Sequence, residues 1–218
     1  MPKPQIVSAR EAVEHIRDGM SVMVGGFMGV GTPETLIDAL VEKGVRDLTL
    51  ISNDTSFPGR GNGKLVDAGC LKKLIASHIG TNPVTGQLMT GGQLEVTLIP
   101  QGTLVERIRA GGVGLGGILT PTGVGTDVEK DKTVIVVNGK QYLLETPLRA
   151  DVALLKAHRA DKAGNLTYRR AARNFNPVMA LAADLVIVEA EEIVEIGELD
   201  PDVIVTPGLF VDLLVLKS

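Results

Sequence analysis

Four glycines within seven residues, Gly25, Gly26, Gly29 and Gly31, form the part of this sequence best suited to holding an anion. They fall in the run Asp18-Gly-Met-Ser-Val-Met-Val-Gly-Gly-Phe-Met-Gly-Val-Gly-Thr-Pro33, with Phe27, Met28 and Val30 between them. The run reads as a buried strand (Met20 to Val24), a glycine turn and a helix start. Thr32 is placed to cap that helix, and Pro33 suits its first position, where a missing N–H costs nothing. A strand that empties into such a loop offers backbone N–H groups and the positive end of a helix dipole to a phosphate or carboxylate. The same residues also describe a tight turn in an α/β core with no ligand, because a few glycines alone make a weak motif.

Two amides stand where chemistry is expected. Gln101 follows an apolar run and Pro100, and either hydrogen-bonds a substrate carboxylate or carbonyl or caps the helix that begins there. Asn53 lies just past another apolar run, where it either orients an acyl group or attacking carboxylate or makes a local Asx turn. The other reactive types read as structural. His15, His78 and His158 are far apart, without metal-ligand spacing. Cys70, between Gly69 and Leu71, reads as a small buried hydrophobe. Glu189, Glu191, Glu192 and Glu195 read as a solvated turn between strands, and Asn174-Phe-Asn-Pro177 as the start of a helix whose asparagines cap and brace. Gly111, Gly112, Gly114, Gly116 and Gly117 either line a ligand channel or build a compact loop. The sequence contains no G-x-S-x-G elbow and no P-loop.

These residues need a scaffold, and the hydrophobic pattern supplies one. Ser8 and Glu11 make a capping box ahead of a helix striped with Ala12, Val13 and Ile16. A helix from Pro33 to Lys43 stops at Gly44, and Asp47 to Ser52 is the next strand, completing a βαβ unit that implies a parallel sheet. Further strands are expected at 73–78, 95–99, 151–157 and 184–189, with a helix from Pro100 to about Ala110. Asn138-Gly139 is a type I′ turn in a hairpin over 133–145. The expected fold is α/β, an open, mainly parallel sheet flanked by helices with a small β-hairpin excursion, in a single domain over 1–218. In such sheets ligands gather beyond the carboxyl ends of the strands, which is where Gly25, Asn53, His78 and Gln101 all fall.

Composition agrees with that class. With aromatics at 3% and no Trp, the core must be aliphatic, as in parallel strands buried on both faces. A net charge of -4 argues against nucleic acid or an anionic membrane as partner. One cysteine excludes an internal disulfide and suits the cytoplasm, and Met1 to Gln5 lack the apolar core of a signal peptide. No uncharged apolar run is long enough to span a bilayer.

The wording of the glycine run, together with Ser52-Asn-Asp54, Pro100-Gln-Gly-Thr-Leu-Val-Glu-Arg-Ile-Arg-Ala-Gly-Gly112, Thr120-Pro-Thr-Gly-Val-Gly-Thr126, Ala163-Gly-Asn165 and Ala172-Arg-Asn-Phe-Asn-Pro177, resembles the α subunit of family I (3-oxoacid) coenzyme A-transferases. These landmarks occur in the family's order and cover roughly Glu11 to Pro207. The wording leans toward the acetate/acetoacetate type. The resemblance implies CoA as a substrate, with no permanent cofactor or metal. It implies CoA binding at Gly25, Gly26, Phe27, Met28, Gly29, Val30 and Gly31, and substrate binding at Asn53 and Gln101. The family's nucleophile is a glutamate in a Ser-Glu-Asn-Gly motif of the β half, and this sequence has no Ser-Glu-Asn-Gly. The implied partner is therefore a β subunit that brings the glutamate, in an α2β2 or larger assembly acting on short-chain acyl-CoA and carboxylates. The other readings are a stand-alone sugar-phosphate isomerase, which needs a base beside the loop, and a non-catalytic ligand-binding module.

Overall fold

The computed structural model describes residues 4–218; residues 1–3, the start of the segment read above for a signal peptide, lie outside the described residues. Twelve strands occur among them: β1 (Gln5–Ile6), β2 (Ser21–Val24), β3 (Leu48–Ser52), β4 (Leu71–Ala76), β5 (Glu95–Leu98), β6 (Ile118–Thr120), β7 (Val134–Val137), β8 (Lys140–Glu145), β9 (Ala150–Asp161), β10 (Leu166–Thr167), β11 (Ala183–Val194) and β12 (Leu213–Leu216). The α-helices are α1 (Ala9–Val13), α2 (Glu34–Lys43), α3 (Asn62–Asp67), α4 (Pro83–Thr90), α5 (Gln101–Val113) and α6 (Asn176–Met179).

Eight strands form one parallel sheet in the order β1-β12-β11-β9-β2-β3-β4-β5, and β10 adds antiparallel to β9. The chain runs outward from β2 through β3, β4 and β5, then returns to build β9, β11 and β12 on the other side. The order therefore reverses between β2 and β9, which opens a crevice at their carboxyl ends. Alternation along β2 feeds both faces: Val22 and Val24 join a core with α1 and α2, whereas Met23 joins the core under α5 and α6. All three are buried, so the strand reads as a continuous apolar run.

The Ser8–Glu11 capping box forms as expected. Asn138 and Gly139 take φ of 50° and 76°, as a type I′ turn requires, and the β7–β8 hairpin joins β6 in a separate three-stranded antiparallel sheet. Buried Glu145 fastens this sheet through Lys132 at 2.5 Å and Arg107 of α5 at 3.5 Å.

Some elements differ from expectation. Strands β9 and β11 run four and five residues past their expected ends, to Asp161 and Val194. Glu191, Glu192 and Glu195 accordingly sit on or just beyond a strand rather than in a solvated turn. They pair across the ladder with Lys156 and His158, with Arg159 and with Lys162. Cross-strand charge pairs thus extend a region that the polar sequence had suggested was irregular. Helix α5 continues through Gly111 and Gly112 because each packs against a neighbouring backbone, near Leu148 and Leu181. Helices α3 and α4 and strand β12 had no counterpart in the sequence reading.

Candidate functional site

The glycine loop leaves β2 at the point where strand order reverses. The Gly25 N–H donates to the Leu154 carbonyl of β9, so the loop begins stitched to both halves of the sheet. Phe27 and Val30 then exchange a pair of backbone hydrogen bonds across a turn in which Met28 (φ 49°) and Gly29 (φ 80°) are left-handed. Gly25 is needed for space: a Cβ there would stand 1.9 Å from Asn176 Oδ1. Gly26 is needed for conformation as well, with φ of 122° and Thr32 crowding it.

Internal partners satisfy most of the loop. Gly26 N–H donates to Asn174 Oδ1 at 3.2 Å, and Asn174 Nδ2 donates back to the Val30 carbonyl at 2.9 Å. Asn176 Nδ2 donates to the Gly31 and Ala172 carbonyls, each at 2.9 Å, while its Oδ1 accepts Lys156 N–H at 3.0 Å. Met28 N–H donates to Asp54 Oδ2 at 2.9 Å. The N–H groups of Gly29 and Gly31 have no acceptor among the described residues. The two asparagines brace as expected, but they brace the loop rather than cap α6, which has no side-chain cap.

The end of helix α2 is not open to a ligand, contrary to the sequence expectation. Pro33 precedes the helix as its cap residue, no side chain of 32 or 33 caps it, and Glu189 of β11 does so instead. Glu189 Oε2 accepts Thr35 N–H at 2.8 Å and Leu36 N–H at 3.3 Å. The dipole that might have met a phosphate is already met by the protein's own carboxylate. Glu189 is fully buried, and Oε1 has no partner among the described residues. Burial pushes its pKa upward, opposed by the two helix N–H groups and by Lys156 and Lys217.

Gln101 and Asn53 meet. Gln101 Nε2 donates to Asn53 Oδ1 at 2.7 Å, and α5 has no side-chain cap, so Gln101 is not a helix cap. Asn53 Oδ1 also accepts Ser77 Oγ–H at 2.9 Å, and its Nδ2 donates to Asp54 Oδ2 at 2.7 Å. Asp54 Oδ1 accepts Ser56 N–H at 2.7 Å. A chain of hydrogen bonds therefore runs from Gln101 through Asn53 and Asp54 to Met28 in the glycine loop. Asn53 and Asp54 are almost wholly buried, whereas Gln101 is exposed and borders a cavity of about 340 Å³ with Phe27, Val105 and Phe175. Phe27 is itself 42% exposed, an apolar wall on the solvent side of the loop. The sequence reading assigned no role to Asp54; its position directly after Asn53, past a strand end, was the available signal.

The remaining candidates stay outside this constellation. Cys70 is fully buried, and burial pushes its thiol pKa up, so it is not poised as a thiolate. His78 is an exposed residue beside Gly80, bridged through its backbone to Asp54. Among the described residues no cluster of three or more His, Cys, Asp or Glu side chains is arranged to hold a metal. No helix among them is long and apolar enough to cross a membrane.

Comparison with known proteins follows the same lines. The family model described as coenzyme A transferase matches residues 6–217. The chain is 58% identical over 216 residues to the acetate CoA-transferase subunit alpha of Escherichia coli (strain K12), covering 99% of this chain and 98% of that one. It is 55% identical over 199 residues to the acetoacetyl-CoA:acetate/butyrate CoA transferase alpha subunit of Clostridium acetobutylicum, covering 91% of each. An acyl-CoA transferase from Escherichia coli O157:H7, solved as a thioester complex with CoA, superposes with a TM-score of 0.87 at 25% identity. That likeness covers 98% of this chain and 47% of the other, so the chain spans about half of that structure's length.

Proposed function

The chain belongs to the coenzyme A transferase family, and from that premise we propose that it is the α subunit of a heteromeric enzyme moving CoA between short-chain acids of the acetate/acetoacetate type. The single observation that carries the residue assignment is the hydrogen-bonded line Gln101–Asn53–Asp54–Met28, which ties the mostly apolar cavity beside Gln101 to the glycine loop at the switch in strand order.

In this reading the β subunit's glutamate attacks the acyl-CoA thioester, giving an acyl-glutamyl anhydride and CoA thiolate. The thiolate attacks the glutamyl carbonyl, the first carboxylate leaves, and a glutamyl-CoA thioester remains. An acceptor acid reverses both steps, so turnover is ping-pong. This chain's part is positional and electrostatic. Gln101, held by Asn53, orients the acyl carboxylate or carbonyl against Phe27. The Gly29 and Gly31 N–H groups supply donors for CoA or for the developing oxyanion, each well-placed donor being worth about 3 kcal/mol. The loop cannot drift to meet water, because Asp54, Asn174 and Asn176 anchor it at Met28, Gly26, Val30 and Gly31. CoA enters and leaves as an acyl thioester substrate and product, the assembly is α2β2 or larger, and its place is the cytoplasm.

An isomerase on sugar phosphates would need a free base beside the loop. Asp54 and Glu191 are the carboxylates near it: three donors already engage the two oxygens of Asp54, and Lys156 and His158 pair with Glu191. The test is CoA transfer from acetoacetyl-CoA to acetate, measured for this chain alone and mixed with its β subunit. Activity is expected only in the mixture; turnover by the lone chain would overturn the shared site.

A further inference from the structure

The small antiparallel sheet β6-β8-β7 ends in β7, whose outer side pairs with no strand. Proteins usually guard such edges with short strands or charges. The main sheet does both: β1 is two residues long, and β5 carries Glu95, paired with Lys73 at 3.0 Å. Strand β7 has neither guard. The run Thr133-Val-Ile-Val-Val-Asn-Gly139 contains no charged residue, Val134 and Val137 are exposed, and Val136 is 62% exposed. The Leu144 N–H donates to the Thr133 carbonyl at 2.9 Å, and the register continues from Val134–Leu143 to Val137–Lys140. Bonded pairs alternate along an antiparallel ladder, so Ile135 and Val137 bond to β8. The N–H and C=O groups of Val134 and Val136 therefore point to the open side.

We propose that this edge pairs with β7 of a second copy of this chain, antiparallel about a two-fold axis at Ile135. The proposal rests on the reading of the assembly as α2β2. In this register Val134 stands opposite the copy's Val136. Each chain brings two outward N–H and two outward C=O groups, which closes four hydrogen bonds between matching apolar side chains. The charges at the ends fit a copy running the opposite way. Lys130 pairs with Asp127 at 2.8 Å and Lys132 with Glu145 at 2.5 Å, whereas Asp131 and Lys140 have no ionic partner among the described residues. Asp131 precedes the strand and Lys140 follows its turn, so the two-fold sets each Asp131 beside the copy's Lys140. A four-residue edge covers less than the roughly 1,200 Å² that holds a specific pair unaided. It joins two αβ units within an assembly to which the β subunits add contacts.

The experiment follows the mass of the assembled enzyme by sedimentation as it is diluted. Val136→Pro deletes one outward N–H per chain and leaves the β7–β8 bonds in place, because that N–H does not face β8. The concentration at which α2β2 halves into αβ should rise about tenfold or more in Val136→Pro, in Val136→Lys and in Asp131→Lys. The double variant Asp131→Lys with Lys140→Asp should return to the wild-type value, because only a copy of the same chain carries both exchanges. Wild-type dissociation in Val136→Pro and Asp131→Lys, or a double variant no better than its parents, would overturn the proposal. Release of free β subunit instead of αβ units would also overturn it, by assigning the edge to that partner. A wild-type enzyme that sediments as αβ at every concentration is a further refuting result, and CoA transfer by the same sample reads the transferase assignment separately.

Discussion

Gly25→Ala tests how the loop is held, and its cost follows from the structure. The new Cβ would stand 1.9 Å from Asn176 Oδ1 and 2.6 Å from its Cγ, whereas ordinary contact begins at 3.4 Å. The amide must therefore retreat by about 1.5 Å, too far to keep its hydrogen bonds. Those bonds reach Lys156 N–H at 3.0 Å and the Gly31 and Ala172 carbonyls at 2.9 Å. At about 1 kcal/mol each, their loss makes Gly25→Ala about 3 kcal/mol destabilising. Asn176→Ala loses the same three bonds and should cost a similar amount. In the double variant the methyl occupies space the amide has vacated, so the two costs overlap by about 2 kcal/mol. Urea unfolding of the assembled protein, at one protein concentration, gives all four corners of this cycle. Additivity within about 0.5 kcal/mol, or a Gly25→Ala protein as stable as wild type, would refute the bracing of the loop by Asn176.

Two further perturbations address the α2 cap and the acyl pocket. Burial raises the Glu189 pKa, so the native carboxyl keeps its proton to a higher pH than the unfolded chain does. Stability should therefore fall as pH rises from the ordinary glutamate value of 4.5 through the raised native value and then level off. Glu189→Gln should flatten that stretch of the urea-midpoint profile, whereas Glu189→Ala should lose about 1 kcal/mol of helix capping; a profile unchanged by the Gln variant contradicts the assignment. Gln101→Ala should lower kcat/KM for CoA transfer about tenfold or more with little change in Tm, because the side chain is exposed. Asn53→Ala should lower both, because it also holds Ser77 and Asp54, and wild-type kinetics in either variant would return these amides to a structural role.

Much of the fold was legible because the signals were local. The aliphatic run through Val22 to Val24, the Ser8–Glu11 box and the Asn138-Gly139 turn each specify their element within a few residues. What the sequence hid depended on contacts far along the chain. Glu189 looks like one of four solvated acids until it is seen 154 residues from Thr35, capping α2. The pairing of Gln101 with Asn53 spans 48 residues, and the anchoring of the loop by Asn174 spans 144. Helix α3 was obscured by the glycines of Pro58-Gly-Arg-Gly-Asn-Gly63, where Gly63 has no room for a side chain beside the Phe57 carbonyl. Local propensity favoured a loop there, and tertiary packing decided otherwise.

The central claim is that this chain shapes and orients while another chain reacts. Intact mass measurement of both subunits, after acetoacetyl-CoA is added without an acceptor acid, tests it most directly. The account predicts that the β subunit gains the mass of one CoA less one water, as a thioester requires, removable by hydroxylamine or by acetate, and that this chain's mass does not change. A CoA adduct on this chain, whether at Glu189, Glu191 or elsewhere, would contradict it.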